Sequence, residues 1–256
     1  VKLLTVAGLT GCFLFTSCRS AQETTARYEI SKVEGNMITI DSTWDANPDK
    51  KATTVLKPYK DKVDAMMYEV IGTSEMKMDK GTPESLLSNL VASVLQEAAA
   101  QVLGKPADMG LVNMGGLRNI LPKGDITVGA VFEILPFENS LCVLTMKGTD
   151  MKRLFKAIAS LHGEGVSGIR LEINKKGELL NATIGGKPVV DDQLYTVATI
   201  DYLADGNGRM DAFLQAEKRE CPEDATLRGL FLDYVRKQTA EGKIITSKLD
   251  GRITVK

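Results

Sequence analysis

Leu111-Val112-Asn113-Met114-Gly115-Gly116-Leu117-Arg118 runs from an apolar, strand-like segment through a double glycine to a basic residue. The apolar run at 109–113 reads as a strand whose end is marked by Asn113. Gly115 and Gly116 carry no Cβ, so backbone here can approach a ligand closely. Arg118 then presents a planar guanidinium fork suited to phosphate oxygens or a ribose-phosphate edge. The competing reading of the same eight residues is a conventional glycine turn with a surface arginine.

Upstream, Leu86, Leu87, Leu90, Val91, Val94, Ala98 and Val102 recur at helical spacing, and Gly104 and Pro106 stop the pattern. Thr82-Pro83 reads as the start of that helix, a capping hydroxyl followed by proline in the first turn. Earlier still, MITID at 37–41 alternates like a strand, 43–54 reads as a polar loop, and a helix fits 59–67, before a strand-like run within 69–78. Downstream, strand-like runs fall at 141–146, 169–173, 179–184, 194–200 and 253–255. Helices fit 149–161 and 226–239, the second with Leu227, Leu230, Phe231, Tyr234 and Val235 on one stripe. Because several strands crowd between 169 and 200, the expected fold is mixed α/β (α+β), a mixed sheet flanked by helices.

The chain has 256 residues, with 32 Lys+Arg against 33 Asp+Glu and a formal charge of −1. At 43% hydrophobic and 25% charged it is neither a disordered tail nor a multi-span membrane protein. A balance so near zero offers no general attraction to a phosphate backbone, so no nucleic acid polymer is expected as partner. Residues 1–17 read as an export signal: Lys2, a short apolar run, then small residues. Cys18 follows Phe15-Thr16-Ser17 as in a bacterial lipobox, which makes it the expected lipid anchor; an ordinary secretory signal with an incidental cysteine is the alternative. Residues 18–25 would form a tether and 26–256 the folded domain. Of the remaining cysteines, Cys142 sits in the apolar run LCVLTM, where a buried free thiol is expected, although pairing with Cys221 is open in an oxidising compartment.

Several motifs can be set aside. Gly163-Glu164-Gly165-Val166-Ser167-Gly168 matches GxGxxG, but it follows a helix and leads into a strand, the reverse of what a dinucleotide fingerprint needs. With His162 as the single histidine, a dinuclear metallophosphatase centre cannot be assembled from this chain, and no metal site is expected in it. No CxxC and no GxSxG occur.

From about Glu84 onward the sequence resembles the C-terminal domain of the 5′-nucleotidase / UDP-sugar hydrolase family. The matching pieces are Glu84-Ser85 with Ser88-Asn89-Leu90, the 111–118 stretch, Gly124-Asp125-Ile126-Thr127, Leu135-Pro136-Phe137-Glu138-Asn139, Lys147-Gly148, Ser167-Gly168-Ile169 and Asp201-Tyr202-Leu203-Ala204. The resemblance implies a domain that holds substrate while a metallophosphatase domain carries divalent metals. By resemblance, Asn113 and Arg118 meet the phosphate side of a nucleotide, Gly115 and Gly116 belong to the same substrate-binding set, Phe137 and Tyr202 clamp the base, and Asn139 touches the base edge. In the competing reading, the two aromatics belong to the core. Two positions depart from the pattern. Leu86 falls where the family places a phosphate-binding arginine, and Gly208 where it places a carboxylate for the ribose hydroxyls. Lys80, Asp205 and Asp211 are the candidates to replace them.

The expectation is an exported, membrane-anchored lipoprotein, periplasmic or on the cell surface. It would be the nucleotide-recognition component of a split 5′-nucleotidase, acting in nucleotide catabolism with a separate metallophosphatase subunit. The alternative is a non-enzymatic surface lipoprotein binding nucleosides or nucleotide sugars, or a degenerate domain kept for protein contacts.

Overall fold

Strand pairing shows how the nucleus of the fold is built. The computed structural model describes residues 29–256, so the expected leader at 1–17, the Cys18 anchor and the tether at 18–25 lie outside the described residues. The chain divides into two units at Asp49. In the first, a 3-10 turn at Ser42–Ala46 is capped by Asp41, which accepts from the Thr43 amide at 3.0 Å. The MITID segment is not a strand. Its alternation is real, but a strand exists only with a hydrogen-bonded neighbour.

The second unit opens with α1 (Lys50–Met67) and β1 (Val70–Ser74). The helix starts nine residues before the expected 59 and takes in part of the expected loop. It runs through Pro58, supported by Lys57–Asp61 and Lys60–Asp64 pairs one turn apart. None of its side chains is buried. Next comes α2 (Leu86–Ala98), whose N-cap is Ser85 rather than Thr82. Ser85 Oγ accepts from the Ser88 amide, and the Thr82–Pro83 peptide lies outside the helix. α3 (Ala100–Leu103) follows and ends at Gly104 in the left-handed conformation.

The remaining elements are β2 (Met109–Val112), β3 (Gly124–Thr127), α4 (Val128–Ile134), β4 (Leu141–Lys147), α5 (Gly148–Ser160), β5 (Gly165–Ser167), β6 (Ile169–Ile173), β7 (Leu179–Ile184), β8 (Lys187–Pro188), β9 (Leu194–Ile200), α6 (Asp201–Ala204), β10 (Lys218–Glu220), α7 (Leu227–Ala240) and β11 (Ile253–Val255). They form a mixed α/β architecture of the expected class. The central sheet has the order β10-β4-β9-β2-β5, parallel between β9 and β2 and antiparallel elsewhere. A second sheet has the order β11-β6-β7-β8, and β1 pairs with β3.

α2 lies against β2 and β5, and Leu87, Val91 and Leu95 are sealed beneath it with Met109 and Leu111. α5 covers β4 and β9 with Leu154, Phe155 and Ile158. α7 closes the side next to β1 and α4, burying Leu227, Leu230, Phe231 and Val235, while Tyr234 is half-buried.

Cys142 is not a free thiol: it forms a disulfide with Cys221, Cα atoms 4.2 Å apart. The reason is tertiary. β10 pairs with β4 so that Glu220 stands opposite Val143, and the next residue, Cys221, lands beside Cys142.

Candidate functional site

The parallel pair β2 and β9 ends on the same side of the sheet, where the chain leaves β2 through a turn and β9 through a short helix. This is where ligands collect in sheets with parallel strands, because the connecting loops diverge and leave a crevice. β2 runs into Asn113 and a 3-10 turn at Met114–Gly116. β9 runs into α6, which carries Tyr202. Thr199 Oγ1 donates to the Leu111 carbonyl at 3.0 Å and ties the two strands just before they end.

The third wall is the α4–β4 connection, which carries Phe137 and Asn139. Its shape is held from a distance. Arg228 of α7, almost fully buried, donates Nη1 to the Leu135 and Pro136 carbonyls at 3.1 and 3.2 Å. Its guanidinium also pairs with Glu138 and lies 4.1 Å from the Phe132 ring centre. Two carbonyls just past the end of α4 thereby find a donor, and Phe137 is left projecting outward. The Leu227 amide donates to the Asn139 carbonyl at 2.8 Å, and the Asp201 amide to the Ser140 carbonyl at 2.9 Å, joining this loop to α7 and α6.

Asn113, Gly115, Gly116, Phe137, Asn139 and Tyr202 line one cavity of about 340 Å³. Phe137 and Tyr202 remain 48% and 44% exposed, so neither ring belongs to the core. Arg118 stands at the edge of this group. Its Nη1 donates to the Gly115 carbonyl at 3.2 Å, and its guanidinium carbon is 5.9 Å from the Phe137 ring centre. The Asn113 Oδ1 atom is buried with no hydrogen-bond partner.

The candidates for the two missing charges are placed elsewhere. Lys80 Nζ donates to the Leu117 carbonyl. Asp205 is paired with Arg219 at 2.7 Å. Asp211 begins the 3-10 turn at Asp211–Gln215, and neither aspartate lines the cavity. Leu86 is half-buried against the core. Gly208 has φ +65°, and a Cβ there would lie 3.8 Å from the Tyr202 ring. Among the described residues no three His, Cys, Asp or Glu side chains gather as a metal site.

The 5′-nucleotidase C-terminal domain matches this chain over residues 70–215. The chain belongs to that family. Its solved relatives include a 5′-nucleotidase precursor from Thermus thermophilus, 26% identical with a TM-score of 0.68, covering 82% of this chain and 44% of that one. The Haemophilus influenzae NAD nucleotidase shares the fold, with a TM-score of 0.60 at 19% identity over 84% of this chain and 44% of that one. Among curated proteins, a trifunctional nucleotide phosphoesterase of Bacillus subtilis is 27% identical over 85% of this chain and 16% of its own length. A cell wall protein of Listeria monocytogenes is 27% identical over 82% of this chain and 30% of its own length. The chain thus spans less than half of each of these family members.

Sequence reasoning missed Arg228 at this site, and it left the Cys142–Cys221 pairing open. An arginine set inside the apolar stripe of α7, between Leu227 and Leu230, was the one visible sign of the first.

Proposed function

We propose that this chain is the nucleotide-recognition domain of an exported 5′-nucleotidase, working with a metallophosphatase supplied by a separate polypeptide. The observation that carries the reading is the cavity in which six dispersed residues meet. Asn113, Gly115, Gly116 and Arg118 would hold the phosphate side, Phe137 and Tyr202 the faces of the base, and Asn139 its edge. Stacking contributes roughly 1–3 kcal/mol per base and tolerates different bases. Divalent metals on the partner would supply the nucleophile for phosphomonoester hydrolysis. This chain's own part is to bind and orient, since its single histidine and the absence of a ligand cluster among the described residues do not fit a metal centre.

Export is supported by the signal-like residues 1–17, by the Cys142–Cys221 disulfide, which suits an oxidising compartment, and by the likeness to a cell wall protein. Anchoring through Cys18 is part of the same proposal. Purified protein mixed with AMP and divalent metals is expected to release no phosphate; strong metal-dependent release by this chain alone would end the split-enzyme reading.

Leu86 and Gly208 favour a second reading, a non-enzymatic lipoprotein that binds nucleosides or nucleotide sugars, or a domain kept for protein contacts. A charged hydrogen bond is worth roughly 1.5–3 kcal/mol, so losing two weakens nucleotide binding substantially. Calorimetry with AMP, adenosine and UDP-glucose separates the two. Phosphate-dependent binding that is lost in Arg118→Ala supports the first. Equal binding of AMP and adenosine, or none at all, supports the second.

A further inference from the structure

The three glycines of the 163–168 hexapeptide answer to packing, and two of them flank Glu164. Gly163 has φ +118°, and a Cβ there would lie 2.3 Å from the Pro83 carbonyl oxygen. At Gly165 a Cβ would lie 2.6 Å from Val112 Cγ1 and 3.0 Å from Ser88 Cβ. Glu164 sits between these two close approaches, so its backbone has little room to move. It also stands just beyond the β2–β5 ladder, whose last pair is Val112 with Gly165.

From there the side chain turns inward. Glu164 is 9% exposed, and its Oε2 accepts from the Met114 amide, the first N–H of the turn behind the cavity. The rest of that turn is held by Gly116 N–H to the Asn113 carbonyl at 3.0 Å, Leu117 N–H to the Met114 carbonyl at 3.3 Å and Arg118 Nη1 to the Gly115 carbonyl at 3.2 Å. The Asn113 amide lies against it, with Oδ1 2.9 Å from where a Cβ on Gly116 would stand. No salt bridge joins Glu164 to a cation among the described residues. Burial pushes its carboxyl above the ordinary value, and the Met114 bond draws it partly back. A carboxylate so placed costs stability unless its one hydrogen bond serves the structure.

We propose that Glu164 is the positioning residue of the cavity: its carboxylate holds the Met114 amide, and through it sets the Asn113–Gly116 turn in the shape that meets a phosphate- or ribose-bearing ligand. The ligand half of this statement rests on the function proposed above, whereas the turn half stands without it.

The test compares Glu164→Ala with Glu164→Gln, whose amide oxygen can still accept from Met114. Ser167→Ala serves as a control, because it removes the bond from Ser167 Oγ, three residues from Glu164, to the Ala92 carbonyl of α2 without touching the turn. Amide hydrogen exchange at Met114 and Gly116 should speed up about tenfold or more in Glu164→Ala. It should stay near the wild-type rate in Glu164→Gln and Ser167→Ala. Calorimetry should show AMP binding weakened about tenfold in Glu164→Ala and within about twofold of wild type in the other two. Unchanged exchange or unchanged affinity in Glu164→Ala overturns the proposal, as does failure of glutamine to restore the turn. If wild-type protein binds neither AMP nor adenosine, the nucleotide reading falls, and exchange alone judges the role of Glu164 in the turn.

Discussion

Burial raises the Glu164 carboxyl above its ordinary 4.5, so the folded protein holds this proton more tightly than the unfolded chain does. The sign follows from linkage: the contribution of this residue to stability is full below about pH 4.5 and is lost as pH rises through the raised value. Glu164→Gln keeps the acceptor and removes the titration. Its melting temperature relative to wild type should therefore climb as pH rises above about 4.5; a difference that stays flat contradicts the shift. Arg228 is the other residue whose role is out of proportion to its place in the sequence. Arg228→Ala would strip donors from the Leu135 and Pro136 carbonyls and leave Glu138 unpaired. A cost of about 1–3 kcal/mol is expected in urea unfolding, with weaker binding of the proposed nucleotide because Phe137 loses its support. Lysine should not restore it, since a compact ammonium does not reproduce the guanidinium fork that reaches the Leu135 and Pro136 carbonyls and Glu138 together.

Among the elements, β10 shows how little sequence a functional support needs. Three residues pair with β4 and bring Cys221 to Cys142 across a separation of 79 residues. Arg219 on the same strand holds Asp205, at the end of the helix that carries Tyr202. Closing so long a loop restricts the unfolded chain, and removing the bond by Cys221→Ser or by reductant should cost about 2–4 kcal/mol. Chemical denaturation with and without reductant measures this, and coincident curves would show that the bond does not stabilise the fold. At the start of α2, Ser85 caps the helix where Thr82 was expected. Ser85, not Thr82, places a side-chain oxygen on a first-turn amide, that of buried Ser88, and Ser85→Ala should destabilise by about 1 kcal/mol while Thr82→Ala should not through loss of a cap.

For the whole molecule, the site is made by three segments more than 20 residues apart that meet at the ends of β2 and β9. Ligand binding there should stabilise the entire fold by mass action, about 2.7 kcal/mol at a ligand concentration 100 times its dissociation constant. AMP is accordingly expected to raise the melting temperature of the wild type and to have little effect on Phe137→Ala combined with Tyr202→Ala. An equal rise in that double variant would place the ligand outside this cavity.

What the sequence determined alone was local. The apolar period of α2, the strands at 169–173, 179–184 and 194–200, and the apolar stripe of the helix expected at 226–239 are written in the local sequence, because helices and strands answer first to spacing. The resemblance named the residues that line the cavity but not what holds them. MITID had the alternation of a strand without a neighbour to pair with, and Cys142 had the surroundings of a free thiol until β10 was folded against β4. Glu164 and Arg228 act on turns 50 and about 90 residues away along the chain. Such pairings are set by which surfaces the core brings together, and that is decided only when the whole chain has packed.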